Sequence, residues 1–169
     1  MMAGVAGALG DFRAYAEPRD GYGDSPFKLG CSLSGPASDE EIASAWPGVA
    51  LPDELIGVWS VSRESRLFED VDYGQWGLLL LSPAASAKRT VEQRAQRPGA
   101  YCPDDVVIGE FLGDIELLVM APSEAGDRRV LVALPLDDRH DWFPAAPSLA
   151  RFLEKYLESR GGKYWESPA

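Results

Sequence analysis

The residues able to do chemistry are few, and most are acids. Four acidic clusters stand out: Asp39-Glu40-Glu41, Glu69-Asp70 with Asp72, Asp104-Asp105 and Asp137-Asp138. Paired carboxylates can act as general acid and base, or hold a magnesium ion through their oxygens. Each cluster also has a local structural use. The first sits where a helix should begin, and acids are favoured beside the positive end of a helix. The others sit at expected strand ends, where aspartate is a common turn residue. His140 is the only histidine, and Cys31 and Cys102, the only cysteines, stand in no C-x-x-C arrangement. That set supplies no zinc constellation. A Cys-His nucleophilic pair would require the fold to bring a cysteine to His140. The sequence has no phosphate-binding glycine loop, dinucleotide fingerprint or nucleophile-elbow motif. No catalytic residue, metal site or cofactor is therefore assigned.

One acidic cluster differs from the rest. "EDVDYGQW", Glu69 to Trp76, mixes acids with aromatic residues, and aromatics are enriched at binding hot spots. Glu69, Asp70, Asp72, Tyr73 and Trp76 are the candidate partner-binding residues; the other reading of the stretch is a turn with Trp76 tucked into the core. The loop is expected to be exposed, so that alanine at 70, 72 and 73 should spare stability and weaken binding.

Charge narrows the kind of partner. The 169-residue chain carries a formal net charge of −11. That argues against nucleic acid, which needs a basic footprint, and against anionic membranes. It permits a basic protein partner, while acidity by itself more often serves solubility. A chain of this length makes one domain, or one domain with a tail, with a core large enough to need no disulfide or metal. The opening "MMAGVAGALGDF" has no basic flank and no long apolar run, so neither a signal peptide nor a membrane span is expected. The reading is a cytoplasmic protein, monomeric or weakly dimeric.

The elements that must position these residues can be read from pattern. Val5, Leu9, Phe12 and Tyr15 suggest a short helix within residues 1–16. The next twenty residues, rich in Gly and Pro, read as a loop or extended arm. Ser38 caps a helix, with Glu41 completing a capping box, and Pro47-Gly48 ends it. A second helix opens at Pro52 with Asp53 and Glu54 in its first turn, and its stripe is Leu51, Leu55, Val58 and Trp59. "RLF" and "QWGLLLLS" read as strands, the second apolar on both faces and so central. A helix from Ser82-Pro83 to about Arg97 has only a thin stripe of Ala and Val and should lie on the surface.

"VVIGEFLGDIELLVMAP", Val106 to Pro122, reads as a hairpin turning at Gly113-Asp114, with Gly113 supplying a positive φ. That register sets Glu110 opposite Leu117. It puts Ile108, Leu112, Ile115, Leu117 and Val119 on one face, and Phe111, Glu116, Leu118 and Met120 on the other. Both faces need cover. "RRVLVALPL" is a further strand. Leu149, Phe152, Leu153, Tyr156 and Leu157 form the clearest helical stripe in the chain, ended by Gly161-Gly162. Trp142 should pack under that helix, with Phe143 as its partner, and Tyr164 and Trp165 should dock back. The fold class expected is α+β: an antiparallel-dominated sheet of four to six strands flanked by helices. Residues 38–169 make the domain, and 1–37 an N-terminal helix and arm that is part of the same unit or a tail.

Several of these stretches, in this order, resemble the SUKH superfamily. "LPDELIGVWSVSRESRLFED" resembles its opening signature, and "YGQWGLLLLSP" the strand and helix start that follow. "IGEFLGDIELLVM" is similar to its glycine-containing hairpin, and "WFPAAPSLARFLEKYL" to its last helix. The similarity spans roughly residues 38–166. "SRES" stands where relatives often have Asn-Gly, so contacts made there in relatives do not carry over. The resemblance implies an α+β fold and binding rather than catalysis. Many bacterial members are immunity proteins that neutralise toxins, often nucleases or deaminases. Others, such as a fungal cell-wall synthesis regulator, are interaction modules. The expectation is a non-enzymatic protein that neutralises a cognate, basic toxin domain. The alternatives are an interaction module without a toxin partner, or a hydrolase using the acidic loops.

Overall fold

The expected run of consecutive strands joins into one antiparallel sheet whose spatial order is the chain order, β1 to β8. The computed structural model describes residues 4–20, 25–122 and 128–166. The strands are β1 Arg19–Asp20, β2 Lys28–Leu33, β3 Ser65–Asp70, β4 Leu78–Leu80, β5 Val106–Phe111, β6 Leu117–Pro122, β7 Arg128–Ala133 and β8 Phe143–Ala146. The helices are α1 Val5–Gly10, α2 Asp39–Ala45, α3 Asp53–Val61, α4 Pro83–Gln96 and α5 Leu149–Glu158. The fold is α+β with an antiparallel sheet, as expected, but among the described residues the sheet has eight strands rather than four to six.

The extra strands come from segments whose prolines and glycines read as breakers. β1 and β2 lie in the stretch taken for a loop, and Leu29 and Cys31 of β2 point into the core. β8 carries Pro144 at the edge of the sheet, where a missing N–H costs no ladder hydrogen bond. Of the helix expected over 1–16 and the loop after it, residues 1–3 and 21–24 lie outside the described residues, as do 167–169 of the tail. The described N-terminal part is α1 followed by a short 3-10 helix, Asp11–Tyr15. Its Leu9 and Phe12 are fully buried in the same core as Leu153 and Tyr156 of α5.

Helices α1, α3 and α5 cover one face of the sheet, where Phe12, Trp59, Phe68, Met120, Phe152 and Tyr156 are almost wholly buried. Each such side chain contributes about 1.5–3 kcal/mol by leaving water. A smaller cluster on the other face gathers Leu81, Tyr101, Val107, Leu117, Val119, Leu131 and Trp142. Trp142 is thus not under the final helix. It packs against Tyr101, ring centroids 5.1 Å apart, while Phe143 takes the α5 side. Neighbouring residues in extended chain point to opposite faces, so the two could not share one.

The hairpin forms with Glu110 opposite Leu117, as expected. Two details differ. The turn is centred on Leu112-Gly113, since the Asp114 N–H donates to the Phe111 carbonyl and Gly113 has φ +78°. Ile108 is an extra residue on β5, between the pairs Val107–Val119 and Gly109–Leu118. This bulge reverses the alternation, so Ile108 joins Phe111, Leu118 and Met120 on the α5 face, and Leu117 and Val119 face the other way with Val107.

Helix α4 also differs from its reading. Its buried stripe is polar: Ser86, Thr90 and Gln93, while Val91 is exposed. The Ser86 hydroxyl donates to the Val107 carbonyl at 2.6 Å, and the Val107 N–H donates to Thr90 Oγ1 at 2.9 Å. β4 ends at Leu80 and the Leu81 N–H still reaches the Ile108 carbonyl, but Val107, on the near side of the bulge, has passed the end of that strand. Two side chains of α4 complete that edge in its place.

Candidate functional site

Asp70 ends β3 and is buried, 1% exposed. Its Oδ1 accepts from the N–H groups of Asp72 and Tyr73 and its Oδ2 from that of Gln75, each at 3.1 Å. The Asp70 N–H donates to the Trp76 carbonyl, and Gly74, at φ +65°, returns its N–H to the Asp70 carbonyl. The carboxylate therefore cross-ties the whole turn. Asp70 was expected to face a partner. It instead faces inward, because a short acid at the start of a turn is well placed to satisfy the backbone amides that follow it. The turn it holds presents Val71, Asp72 and Tyr73 to solvent, with Tyr73 76% exposed. Glu69 is tied to Arg66 at 2.8 Å.

Trp76 closes the loop and is half-buried. Its Nε1–H donates to the Gly161 carbonyl at 3.0 Å, and its ring stacks on Phe27 with centroids 6.4 Å apart. Lys163 lies 5.3 Å from the centre of the Trp76 ring and pairs with Asp114 at 2.7 Å and Glu116 at 2.9 Å. Burial pulls the Lys163 pKa down, but its bonds to Asp114 and Glu116 outweigh this and hold it above the ordinary lysine value. The same bond from Lys163 holds Asp114 below the ordinary carboxylate value. A cavity of about 390 Å3 opens beside Phe27, Trp76 and Lys163. The β5–β6 turn touches this loop: the Leu112 N–H donates to the Gly77 carbonyl, and a Cβ at Gly113 would stand 2.0 Å from the Gln75 oxygen. The candidate loop, the hairpin turn and the C-terminal tail thus form one edge of the molecule. Sequence reading missed Phe27 and Lys163, which lie far from the loop in the chain and carry no motif.

The other acidic clusters are dispersed. Asp105 is fully buried and takes both terminal nitrogens of Arg139, while the Cys102 N–H donates to it at 2.8 Å. Arg94 and Arg97 donate to carbonyls of the connections 97–105 and 134–142. Arg139 and Arg97 also flank the Trp142 ring, at 5.3 and 5.8 Å. Glu41 does not bond back to its own helix start but takes the Nε–H of Arg63, while Ser38 caps α2 as expected. Asp137 and Asp138 are exposed.

Cys31 lies in the main core and His140 is exposed, so the fold does not pair them. Burial pushes the Cys31 thiol up to about 12, with partial relief from the Phe68 N–H it accepts, which leaves it unreactive at neutral pH. Among the described residues, no group of three or more His, Cys, Asp or Glu is placed to hold a metal. No helix among them is long and apolar enough to cross a membrane. The chain matches no known protein-family model and no curated protein sequence.

Proposed function

We propose that this protein is a non-enzymatic binding domain of the immunity type, and that it neutralises a basic toxin domain by docking the loop 69–76 against it. The observation that supports this reading is the buried Asp70 carboxylate with its three backbone donors. It orders the loop before any partner arrives, so docking does not have to bear that conformational entropy. Asp72 and Tyr73 project from the ordered turn, an acid beside an exposed aromatic, which suits a basic patch with an apolar centre. A net charge of −11 draws such a partner from a distance. The hydrolase alternative has less support, because Asp70 and Asp105 spend their carboxylates on backbone amides and an arginine.

The test begins with the neighbouring reading frame, where a secreted protein with a basic C-terminal toxin domain is expected, and uses that domain as the partner; a neighbourhood without one counts against the reading. The toxin domain's association rate with the full chain should fall as salt rises. Tyr73→Ala should weaken binding by about tenfold or more without moving the melting temperature. A rate indifferent to salt, with Tyr73→Ala binding like the parent chain, overturns both the charge argument and the surface.

A further inference from the structure

The sheet face opposite α5 holds a second polar site, remote in character from the acidic loop. α4 ends above this face, and the connections 97–105 and 134–142 lie across it. Between them is a cavity of about 220 Å3. Gln93, Gln96, Arg97 and Tyr101 form its polar wall, and Leu117, Ala133 and Pro135 its apolar wall.

Tyr101 is 6% exposed, and its hydroxyl is buried with no hydrogen-bond partner among the described residues. A buried hydroxyl left unpaired costs free energy that a mating acceptor would recover. Burial pushes its pKa up to about 12, so at neutral pH it is a donor waiting for an acceptor. Arg97 adds a charge to this wall. Its guanidinium donates to the Leu134 and Asp137 carbonyls, which are neutral, and those bonds leave donors of its fork unused. Arg89, the other cation on the wall, is already paired with Glu92 and Glu110. Arg97 also lines an adjoining cleft of about 900 Å3, together with Arg129, Arg139, Trp142 and one acid, Asp138. Arg139 is spent on Asp105, which leaves Arg97 and Arg129 against the single acid Asp138 on the wall of that cleft.

We propose that the cavity binds a small organic anion, a carboxylate or phosphate monoester, with its charged oxygens between Arg97 and the Tyr101 hydroxyl and its apolar body on Leu117, Ala133 and Pro135. A guanidinium fork suits the planar or tetrahedral oxygens of such a head group. The cavity is smaller than the ~300–1,000 Å3 of pockets that enclose drug-sized ligands, so the ligand is small or enters head first with its remainder in the larger cleft.

Calorimetric titration of the full chain with benzoate, phenyl phosphate and benzyl alcohol tests this. Benzoate or phenyl phosphate should bind, which distinguishes a carboxylate from a phosphate ligand, and the uncharged alcohol should not. Tyr101→Phe should weaken that binding by about tenfold, the weight of a hydrogen bond to a charged group, while its melting temperature stays level or rises because an unpaired hydroxyl is gone. Arg97→Gln should weaken it at least as much. Tyr73→Ala in the distant loop should leave it unchanged. The proposal is overturned if neither anion binds, if the alcohol binds equally well, or if Tyr101→Phe binds like the parent chain. It is also overturned if Tyr101→Phe loses stability in the absence of anion binding, which would mean the hydroxyl serves only a trapped water.

Discussion

Asp70 and Gly113 hold the same edge of the sheet from two sides, one through hydrogen bonds and one through the lack of a side chain. At Gly113 the backbone has φ +78°, and a Cβ would meet the Gln75 oxygen at 2.0 Å. Gly113→Val should therefore cost about 2–4 kcal/mol, strain in φ plus a clash that the backbone must relieve, read as a lower urea midpoint. Its harm should spread to the binding loop, since Gln75 belongs to it. Asp70→Ala removes the acceptor of three backbone N–H groups and should cost about 2–4 kcal/mol. Asp72→Ala and Tyr73→Ala, whose side chains are exposed, should stay within about 0.5 kcal/mol of the parent. Equal melting curves for all three variants would show that the turn does not depend on Asp70. The need for glycine at 113 was legible, because a turn between two apolar runs demands a positive φ. The inward direction of Asp70 was not, because an aspartate beside a turn reads the same whether it faces water or its own backbone.

At the scale of elements, the helices are tied to what they cover by polar side chains that pattern alone assigns elsewhere. Glu54 was read as a favourable acid in the first turn of its own helix. In the fold its two oxygens accept from the Leu149 and Ala150 N–H groups at 2.9 Å each, so α3 caps the start of α5. Thr90 does the same for the β5 bulge. Thr90→Val keeps its shape but leaves the Val107 N–H without its acceptor, and should lower stability by about 1–3 kcal/mol in chemical denaturation. An unchanged midpoint would mean that the bulge has found another partner. The stripe of α5 and the Ser38 cap were visible because both obey local spacing rules. The bulge, the polar stripe of α4 and strands β2 and β8 were not, because each depends on a neighbouring element that no local window contains.

Across the whole molecule, the buried acids set a limit at high pH. In the folded chain the Cys31 thiol is pushed from 9.0 up to about 12 and the Tyr101 hydroxyl from 10.0 up to about 12, and burial raises Tyr156 as well. The unfolded chain gives up these protons first. Stability should thus be level below about pH 9 and fall steadily from there towards pH 12 as ionisation favours the open state. A urea midpoint that is flat between pH 8 and 11 would show that these groups are better solvated than the packing suggests. The sequence by itself determined the class of this fold, its antiparallel hairpin at Glu110–Leu117, the α5 stripe and the docking of Trp165. Those follow from period and turn chemistry, which act between near neighbours. Only the tertiary structure decided that the sheet has eight strands among the described residues, that Trp142 lies across it from α5, that Asp70 and Asp105 are structural, and that Arg97 and Tyr101 line one cavity. The reason is physical: the direction of a side chain in a turn or beside a bulge is set by distant groups that compete for its hydrogen bonds, and those groups meet only when the chain has folded.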